Sequence, residues 1–502
     1  MSITAHIDAS KFLDPRVAAF VSGRHAMLIG GQWLPAASGR TLDVLDPSSG
    51  KVIAAVPAGE GADVDLAVKA ARKAFSGPWS SMVPAERAKL IWRLADLIEQ
   101  HVDMLGPINS YECGKPIGDS RNGEVPFTAE TFRYYAGWAT KLNGESMTIN
   151  APGDWHAYTR REPVGVVGQI IPWNFPLAML AWKVAPALAT GCTIVLKPAE
   201  QTPIGALYFG KLVEEAGIPE GVVNIVTGFG EAAGAAMSGH PDIDKIAFTG
   251  STEVGKMIAR AATGNLKKVS LELGGKAPTI VLADADVEMA VAGASSAAFF
   301  NAGQSCGAGT RFFVHRKIYD KVMAGVAERA EKLRLGPGLD PSSELGPVVS
   351  QQQMERITRL ICEGKSSGAE IVTGGGRAGD TGYFVKPTII SNTTRDMSVI
   401  REEIFGPVAC AMPFDDEDLD ALARDANDTE YGLAASIWTN NLGAAHRLAA
   451  KIKSGTVWIN CHNFNDVTMP FGGFKQSGWG RELGAQALDL YTQTKTVAIR
   501  LP

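Results

Sequence analysis

Residues 164–196 read VGVVGQIIPWNFPLAMLAWKVAPALATGCTIVL, and the pattern of this stretch sets the organisation of the chain around it. A valine-rich run, Val164–Ile170, is followed by a helical pattern over Pro176–Ala189 and by a second β-branched run, Thr193–Leu196. Strands of this kind joined by a helix are typical of a parallel βαβ unit, in which both faces of the sheet are covered. The stretch therefore predicts a parallel sheet of the α/β class.

A membrane-spanning helix is the alternative for this stretch, because nineteen residues from Val164 to Trp182 carry no charge. Pro172 and Pro176 interrupt the apolar run and Lys183 follows it, so a continuous helix is disfavoured. We expect a buried strand, a turn and a helix, and no membrane segment.

The alternation of strands and helices continues as far as Leu273. The predicted elements are helix Pro203–Ala216, strand Val222–Val226, helix Glu231–Ser238, strand Lys245–Phe248, helix Thr252–Ala262 and strand Val269–Leu273. Upstream, an apolar stripe over Ala85–Gln100 predicts an amphipathic helix that flanks the same sheet. A second α/β pattern runs on to about Gly480, so we expect a second domain and a ligand site in the cleft between the two domains.

Two further pieces, 143–161 and 491–502, alternate like strands and have no partner nearby in the sequence. An unpaired strand edge is a surface on which another chain can pair. We therefore expect these pieces to take part in assembly.

The composition is that of a large enzyme without a polyanion-binding surface. The chain has 502 residues, a net charge of -5 and 20% charged residues, which predicts two to four domains and no basic field for nucleic acid. Its six cysteines contain no Cys-x-x-Cys pair and its eight histidines show no metal-ligand spacing, so we expect a reducing compartment and no metal site. Residues 1–15 include Asp8, Lys11 and Asp14 and lack an apolar core, so we expect a cytoplasmic location rather than secretion.

Cys306 and Glu272 are the residues of greatest chemical interest. A free cysteine is usually a buried apolar residue, and a glutamate is usually a solvated surface charge. The small neighbours of Cys306, among them Gly303 and Gly307, are poor core material, and Glu272 closes a predicted strand just before Gly-Gly. Since sites in open α/β sheets lie at strand ends, the pair indicates covalent catalysis at a carbonyl by a thiol, with a carboxylate base.

Seven segments resemble the motifs of the NAD(P)-dependent aldehyde dehydrogenase family, in the family's order. They are PWNFP at 172–176, KPAE at 197–200, FTGSTEVG at 248–255, LELGGK at 271–276, FFNAGQSCGAGTR at 299–311, EIFGP at 403–407 and PFGGFKQSG at 470–478. The resemblance covers the chain from about Ile29 to Leu501. It implies a Rossmann-like parallel-sheet cofactor domain over 1–142 and 162–272 and an α/β catalytic domain over 273–480. A small β bridging domain over 143–161 and 481–502 would join subunits into a homodimer or a dimer of dimers, which is a homotetramer.

The cofactor implied by the resemblance is NAD. On its own, the spacing of Gly250 and Gly255 is wider than the dinucleotide fingerprint, and a glycine-containing helix start is the more common explanation. The segment that contains these glycines lies between a predicted strand and a predicted helix, which favours a pyrophosphate site at the first amides of the helix and the Ser251 hydroxyl. The other cofactor contacts that the resemblance implies are Ile170, Pro172, Trp173, Gly230, Phe248 and Leu273.

The two ends of the cofactor are assigned by the same resemblance. Lys197 and Glu200 would reach the adenosine ribose, whereas Glu403 would hold the nicotinamide ribose with Phe405 beside it. Because a carboxylate accepts hydrogen bonds from ribose hydroxyls and repels a 2′-phosphate, Glu200 predicts a preference for NAD over NADP.

The reaction implied by the resemblance is the oxidation of an aldehyde to a carboxylic acid. Cys306 would attack the aldehyde, and the Asn174 side chain and the Cys306 backbone N–H would stabilise the oxyanion. Glu272 would activate the water that hydrolyses the thioester. Family members that acylate coenzyme A lack this glutamate, so its presence favours hydrolysis.

The substrate is expected to be an apolar or aromatic aldehyde. The predicted pocket residues are Phe175, Met179, Trp182, Phe300, Phe464, Asp466 and Phe471. The first three share one helix face, which is more often plain core, but they follow Asn174 directly and so favour an aromatic tunnel. Segments 161–168 and 456–466 look closest to phenylacetaldehyde dehydrogenases, while Asp466 leaves betaine aldehyde or another cationic substrate open.

Two other classes of protein are disfavoured. A thiol hydrolase would pair Cys306 with a histidine, but no histidine lies in a shared motif and the cofactor segments would have no role. A non-catalytic relative, of the kind that the family has contributed to eye lenses, would be free to lose its nucleophile. Cys306, Glu272 and Asn174 are all present.

Overall fold

The computed structural model describes residues 9–415 and 418–502. Asp8 and the rest of segment 1–8, on which part of the secretion argument rests, lie outside the described residues. In the two described ranges, no helix combines the length and the apolar character needed to cross a membrane.

The strands and helices alternate along most of the chain. The strands are β1 (Met27–Ile29), β2 (Gln32–Leu34), β3 (Thr41–Asp46), β4 (Lys51–Pro57), β5 (Ser146–Met147), β6 (Trp155–Pro163), β7 (Val166–Ile170), β8 (Thr193–Lys197), β9 (Val223–Ile225), β10 (Lys245–Thr249), β11 (Lys268–Glu272), β12 (Ala277–Val281), β13 (Gly309–His315), β14 (Glu370–Thr373), β15 (Thr388–Ser391), β16 (Val408–Phe414), β17 (Ala434–Trp438), β18 (Thr456–Ile459), β19 (Gly478–Trp479) and β20 (Thr492–Arg500). The α-helices are α1 (Pro15–Val21), α2 (Gly61–Phe75), α3 (Pro78–Ser81), α4 (Pro84–Gln100), α5 (Val102–Cys113), α6 (Ile117–Asp119), α7 (Val125–Ala136), α8 (Pro176–Thr190), α9 (Ile204–Ala216), α10 (Ala235–Gly239), α11 (Thr252–Ala262), α12 (Val287–Phe299), α13 (Arg316–Lys332), α14 (Gln351–Ser366), α15 (Ser398–Arg401), α16 (Leu419–Asn427), α17 (Leu442–Lys451) and α18 (Ala487–Leu490).

The first sheet confirms the parallel α/β pattern predicted from residues 164–273. Its eight strands lie in the order β19-β11-β10-β7-β8-β9-β1-β2. The five central strands, β11 to β9 in that order, are all parallel, because each is joined to the next by a helix that crosses the sheet. Within this parallel part of the sheet, the chain begins at the central strand β7 and continues outward through β8 and β9. It then returns to the other side of β7 to form β10. The carboxyl ends of β7 and β10 therefore form a topological switch point, where open α/β sheets bind ligands.

The second sheet has seven strands in the order β14-β15-β16-β13-β12-β17-β18. All neighbours are parallel except β14 and β15. Its core lies mainly between the sheet and helices α12, α13 and α14, where residues such as Val322, Val326 and Ile357 are fully buried. This second domain was also predicted as α/β.

The two strand-like pieces without a predicted partner pair with each other. β20 runs antiparallel to β6 from Thr492↔Pro163 to Arg500↔Trp155, and β5 adds a third strand to this small sheet. The pieces have no partner nearby in the sequence, as expected, because each pairs with a segment more than 300 residues away along the chain. Strands β20 and β5 remain at the edges of the small sheet.

Residues 481–491 differ from the predicted start of the bridging piece. Leu483, Ala487, Leu488 and Tyr491 are buried in the main core of the first domain. The Tyr135 hydroxyl in α7 donates a hydrogen bond to the Gly484 carbonyl oxygen at 3.0 Å. This segment thus packs on the cofactor side of the molecule before the chain reaches β20.

Candidate active site

The site lies where the two large sheets face each other. The carboxyl ends of β7, β10 and β11 meet the segments that lead into β12, β13 and β16. Between them is a cavity of about 720 Å³. The predicted site residues on its wall are Pro172, Trp173, Asn174, Phe175, Met179, Trp182, Gly250, Ser251, Glu272, Leu273, Phe300, Cys306, Glu403, Phe405 and Phe471.

Cys306 occupies the second position of a tight turn. The Ala308 N–H donates to the Ser305 carbonyl oxygen at 3.0 Å and closes this turn. The Cys306 carbonyl packs against Gly275, where a Cβ atom would lie 2.2 Å from the carbonyl oxygen, so this position requires glycine. Gly275 therefore supports the backbone of this turn, and Cys306 lies on the wall of the cavity.

The surroundings of Cys306 raise the pKa of its thiol. Burial raises its pKa to about 12, and the carboxylates of Glu403 and Glu272 add to the effect. The backbone N–H groups of Gly307 and Cys306 act in the opposite direction, since they stabilise a thiolate. Nucleophilic attack therefore requires removal of the thiol proton or a nearby positive charge.

Asn174 lies in the turn between β7 and α8. One N–H of its side-chain amide donates to the Gln304 carbonyl oxygen at 3.0 Å, which leaves the second N–H for a ligand in the cavity. The backbone carbonyl oxygen of Asn174 accepts a hydrogen bond from Asn301 Nδ2 at 2.9 Å. Asn174 is thus tied to the segment that carries the nucleophile.

Glu272 is the last residue of β11 and is 5% exposed. Neither carboxylate oxygen has a hydrogen-bond partner among the described residues. Burial raises its pKa well above the usual value, and repulsion from Glu482 adds to this, whereas Lys183 and Arg481 lower it. A carboxyl group whose pKa is moved toward neutrality is suited to general-base work at physiological pH.

The dinucleotide end of the site has the features that NAD requires. β10 ends at Thr249, and Gly250 and Ser251 lead into α11, whose first-turn amides are available to a pyrophosphate. Gly255 allows α11 to approach β11, because a Cβ there would lie 2.6 Å from a Leu273 methyl carbon. Six predicted cofactor residues lie around this edge of the sheet but off the cavity wall: Ile170, Lys197, Glu200, Gly230, Phe248 and Gly255.

Glu200 and Glu403 are the two carboxylates predicted to contact the riboses. Glu200 lies 3.4 Å from the buried ammonium of Lys197, and its side chain remains 30% exposed. Glu403 accepts from the Gly275 N–H at 2.8 Å, and burial raises its pKa to about 7. Phe405 meets Trp173 edge-on at 5.3 Å between ring centres. These residues fit a dinucleotide with one ribose at each carboxylate.

The substrate side of the cavity is aromatic. Phe175 and Phe300 are stacked with ring centres 5.9 Å apart. Trp182 contacts Phe471 at 5.4 Å and Phe127 at 6.4 Å, both edge-on. Phe127 comes from α7 and was not predicted, because nothing in its local sequence points to a site.

The predictions for Phe464 and Asp466 are corrected by the structure. Neither lines the cavity, and Asn463 and Asn465 from the same loop take that place. The Phe464 carbonyl accepts from Trp458 Nε1 at 2.8 Å while its side chain is 57% exposed. Asp466 accepts hydrogen bonds from the backbone N–H and the hydroxyl of Thr468. The loop bends at residues 462–463, where Asn463 has a positive φ of 59°, so the local sequence does not show which of its side chains face the cavity.

Several charged wall residues were also missed. Lys115 and Glu124 form a buried ion pair beside Phe175. Gln353 donates to the Phe405 carbonyl oxygen at 2.9 Å, and Arg356 donates to that of Glu403 at 2.8 Å, so α14 supports the Glu403 segment. The helical pattern of α14 predicts the helix but gives no sign that its amino end reaches the site.

Comparison with known proteins gives a consistent result. The sequence model of the aldehyde dehydrogenase family matches residues 33–497. An aldehyde dehydrogenase from Bacillus cereus, solved as an NAD+ complex, superimposes with a TM-score of 0.96 at 50% identity, covering 98% of this chain and 99% of that one. A mitochondrial benzaldehyde dehydrogenase of Antirrhinum majus is 50% identical over 95% of this chain and 89% of its own length. A betaine aldehyde dehydrogenase from Staphylococcus aureus, solved with NAD+, superimposes with a TM-score of 0.94 at 39% identity, covering 97% of this chain and 96% of that one.

Proposed function

The chain belongs to the aldehyde dehydrogenase family and is an NAD-dependent aldehyde dehydrogenase, and from this premise we propose the roles of its residues and the class of aldehyde that it oxidises. The observation that carries the proposal is one cavity whose wall contains Cys306, Asn174 and Glu272 together, next to a dinucleotide site at the switch point.

Cys306 is the nucleophile in this proposal. After the thiol proton has left to solvent, the sulfur attacks the aldehyde carbon, and the carbonyl oxygen becomes an oxyanion that accepts hydrogen bonds from the free N–H of Asn174 and the Cys306 backbone N–H. One such donor lowers a barrier by about 3 to 4 kcal/mol in other enzymes. The product of this step is a thiohemiacetal on Cys306.

NAD would be held by Glu200, Glu403 and the amino end of α11, where it would supply a hydride acceptor and, in its oxidised form, a pyridinium charge that favours the thiolate. The thiohemiacetal that has given up its hydride is a thioester on Cys306. Glu272 then takes a proton from a water molecule, which attacks the thioester and releases the carboxylic acid and the Cys306 thiol. The raised pKa of Glu272 makes its ionised form a stronger base than an ordinary carboxylate.

Glu200 is proposed to set the preference for NAD over NADP. Its side chain stands at the end of β8, partly exposed and only weakly engaged by Lys197. A free carboxylate there accepts from the 2′- and 3′-hydroxyls and repels a 2′-phosphate.

The substrate is proposed to be an aromatic or apolar aldehyde of the phenylacetaldehyde type. The stacked pair Phe175–Phe300 and the Phe127–Trp182–Phe471 series support this class, because aromatic rings pack well against aromatic substrates. The half-identical relative from Antirrhinum majus is named for benzaldehyde, also an aromatic aldehyde. Betaine aldehyde is the second candidate, since aromatic walls also bind quaternary ammonium groups, but Asp466 does not supply the carboxylate partner expected for it.

The assembly is proposed to be a homo-oligomer, a dimer or a tetramer. The small sheet leaves strands β20 and β5 at its edges, and such edges pair readily with another copy. Light scattering during size-exclusion chromatography measures the state directly, and a monomer at micromolar concentration contradicts the proposal.

The function is tested by following NADH absorbance with a panel of phenylacetaldehyde, benzaldehyde, hexanal and betaine aldehyde. We expect kcat/KM to be highest for an aromatic aldehyde. Cys306→Ala should abolish the reaction and retain NAD binding, whereas Cys461→Ala, which removes a nearby thiol off the cavity wall, should remain active. Aldehyde oxidation by Cys306→Ala would refute the assignment of the nucleophile, and a preference for betaine aldehyde would refute the substrate class.

A further inference from the structure

The turn that carries Cys306 is held at a second carbonyl besides that of Cys306 itself. His462 Nε2 lies 2.9 Å from the Gly307 carbonyl oxygen. Because a carbonyl can only accept, Nε2 must carry the proton and donate. His462 comes from the loop after β18 and reaches across to the residue that follows the nucleophile.

The ring of His462 is fixed on the other sides as well. Its centre lies 4.7 Å from the Trp458 ring, and a Cβ at Gly309 would lie 3.1 Å from its Cε1 atom. Trp458 is in turn anchored by its hydrogen bond to the Phe464 carbonyl. Burial lowers the pKa of His462 to about 4, so the ring is neutral at physiological pH. A neutral imidazole that is tightly packed can serve as a fixed hydrogen-bond donor. It is not suited to act as a general acid or base.

The peptide group of Gly307 matters for the chemistry of the thiol. The Gly307 N–H is one of the two backbone groups that lower the pKa of Cys306. The Gly307 N–H belongs to the peptide group of the Cys306 carbonyl, whereas the Gly307 carbonyl belongs to the next peptide group, whose Ala308 N–H donates to Ser305 and whose oxygen accepts from His462. His462 therefore holds Gly307 on its carboxyl side, and a glycine, which has the widest backbone freedom, needs such an anchor to keep its N–H directed at the sulfur.

We propose that His462 is a positioning residue for Cys306: its hydrogen bond to the Gly307 carbonyl fixes the nucleophile's turn so that the Gly307 N–H faces the sulfur. The inference rests on the proposed function, in which Cys306 is the nucleophile. It also links the turn to the loop that carries Asn463 and Asn465 on the cavity wall.

The test compares two variants of the full-length enzyme. His462→Phe keeps a flat ring and removes the donor, whereas His462→Gln places an amide N–H at similar reach and keeps it. The rate of alkylation by iodoacetamide is measured against pH with the site mapped to Cys306 by mass spectrometry, which reports the thiol without aldehyde or NAD. We expect His462→Phe to be alkylated about three- to tenfold more slowly near neutral pH, the effect of one lost hydrogen bond, with the thiol pKa shifted upward. His462→Gln should lie close to the wild type in reactivity, and NAD affinity should be unchanged in both variants.

Three results would overturn the proposal. One is wild-type alkylation of His462→Phe at every pH. Another is an equal loss in His462→Phe and His462→Gln, which would assign the effect to ring packing. If His462→Phe does not fold, His462→Asn is used in its place, because its amide is too short to reach Gly307. The third result that would overturn the proposal is wild-type reactivity of Cys306 in His462→Asn. Failure of the proposed function is seen separately, as aldehyde oxidation by Cys306→Ala.

Discussion

Glu272→Gln separates the two halves of the proposed reaction. Neither Glu272 oxygen accepts a hydrogen bond among the described residues, so the isosteric change breaks none. It also removes the repulsion between Glu272 and Glu482 inside the protein. The variant should therefore fold at least as well as the wild type, and its kinetics should report the lost base alone.

The expected loss is confined to hydrolysis of the thioester. Removing a general base slows its step by about 10² to 10⁴-fold, which corresponds to roughly 3 to 5 kcal/mol. Mixing the variant with aldehyde and NAD in a stopped-flow instrument should give a burst of about one NADH per site, followed by slow turnover. Intact mass spectrometry should show the acyl group on Cys306.

The pH dependence supplies an independent check. Because burial raises the pKa of Glu272, wild-type hydrolysis should increase with pH as this group ionises, with a midpoint well above that of an ordinary carboxylate. The dependence should disappear in Glu272→Gln. A folded variant that binds NAD but gives neither burst nor acyl adduct would refute the reasoning, since Glu272 would then act before hydride transfer.

Three further changes test the cofactor preference and the buried charges. Glu200→Gln should weaken the use of NAD and narrow its advantage over NADP, and a wild-type preference for NADP would contradict the role of Glu200. Lys245→Met should raise the thermal midpoint at pH 7.5, because burial lowers the pKa of Lys245 to about 7 whereas the unfolded lysine holds its proton up to about 10.5, so burying this side chain costs stability. Wild-type stability then rises with pH between these values, so the gain should shrink toward pH 10; a gain independent of pH would contradict this origin. Glu124→Gln should cost about 3 to 5 kcal/mol of stability, since it breaks a buried pair with Lys115 and weakens the cap on Leu177 and Ala178 at the start of α8; an unchanged urea midpoint would contradict it.

The central sheet could be predicted because its information is local. Each parallel strand from β7 to β11 is a short β-branched run beside a helical pattern, and all five were found with ends shifted by two residues at most. β1 and β2 join the same sheet but were not predicted, because strands of three residues carry little periodicity; β1 gains its place by pairing with β9, and β2 by pairing with β1. The upstream hairpin β3–β4 was also not predicted, although β3 alternates between exposed and buried residues.

In the site, too, residues with a local signal could be predicted and residues placed by distant packing could not. Residues carried in motifs, such as Asn174 and Cys306, were located from sequence, and the structure brings them to one cavity. The sequence did not reveal Phe127, Lys115 and Glu124, because they reach the cavity wall through the packing of α5 and α7 against α8. His462 was noted only as part of a loop, since the partner that gives it meaning is the distant carbonyl of Gly307.

The way in which the first sheet is completed has a consequence for synthesis on the ribosome. β19 covers the outer edge of β11, and Glu482 neutralises Lys183 from 299 positions further along the chain. A growing chain that has finished β11 therefore still has an open strand edge, and Lys183, which can bond to Thr249, still lacks its carboxylate partner until the whole second domain has been made. We expect the nascent first domain to remain a client of chaperones during that interval, and a chain stopped after Ser477 to aggregate rather than to accumulate as a folded cofactor-binding fragment.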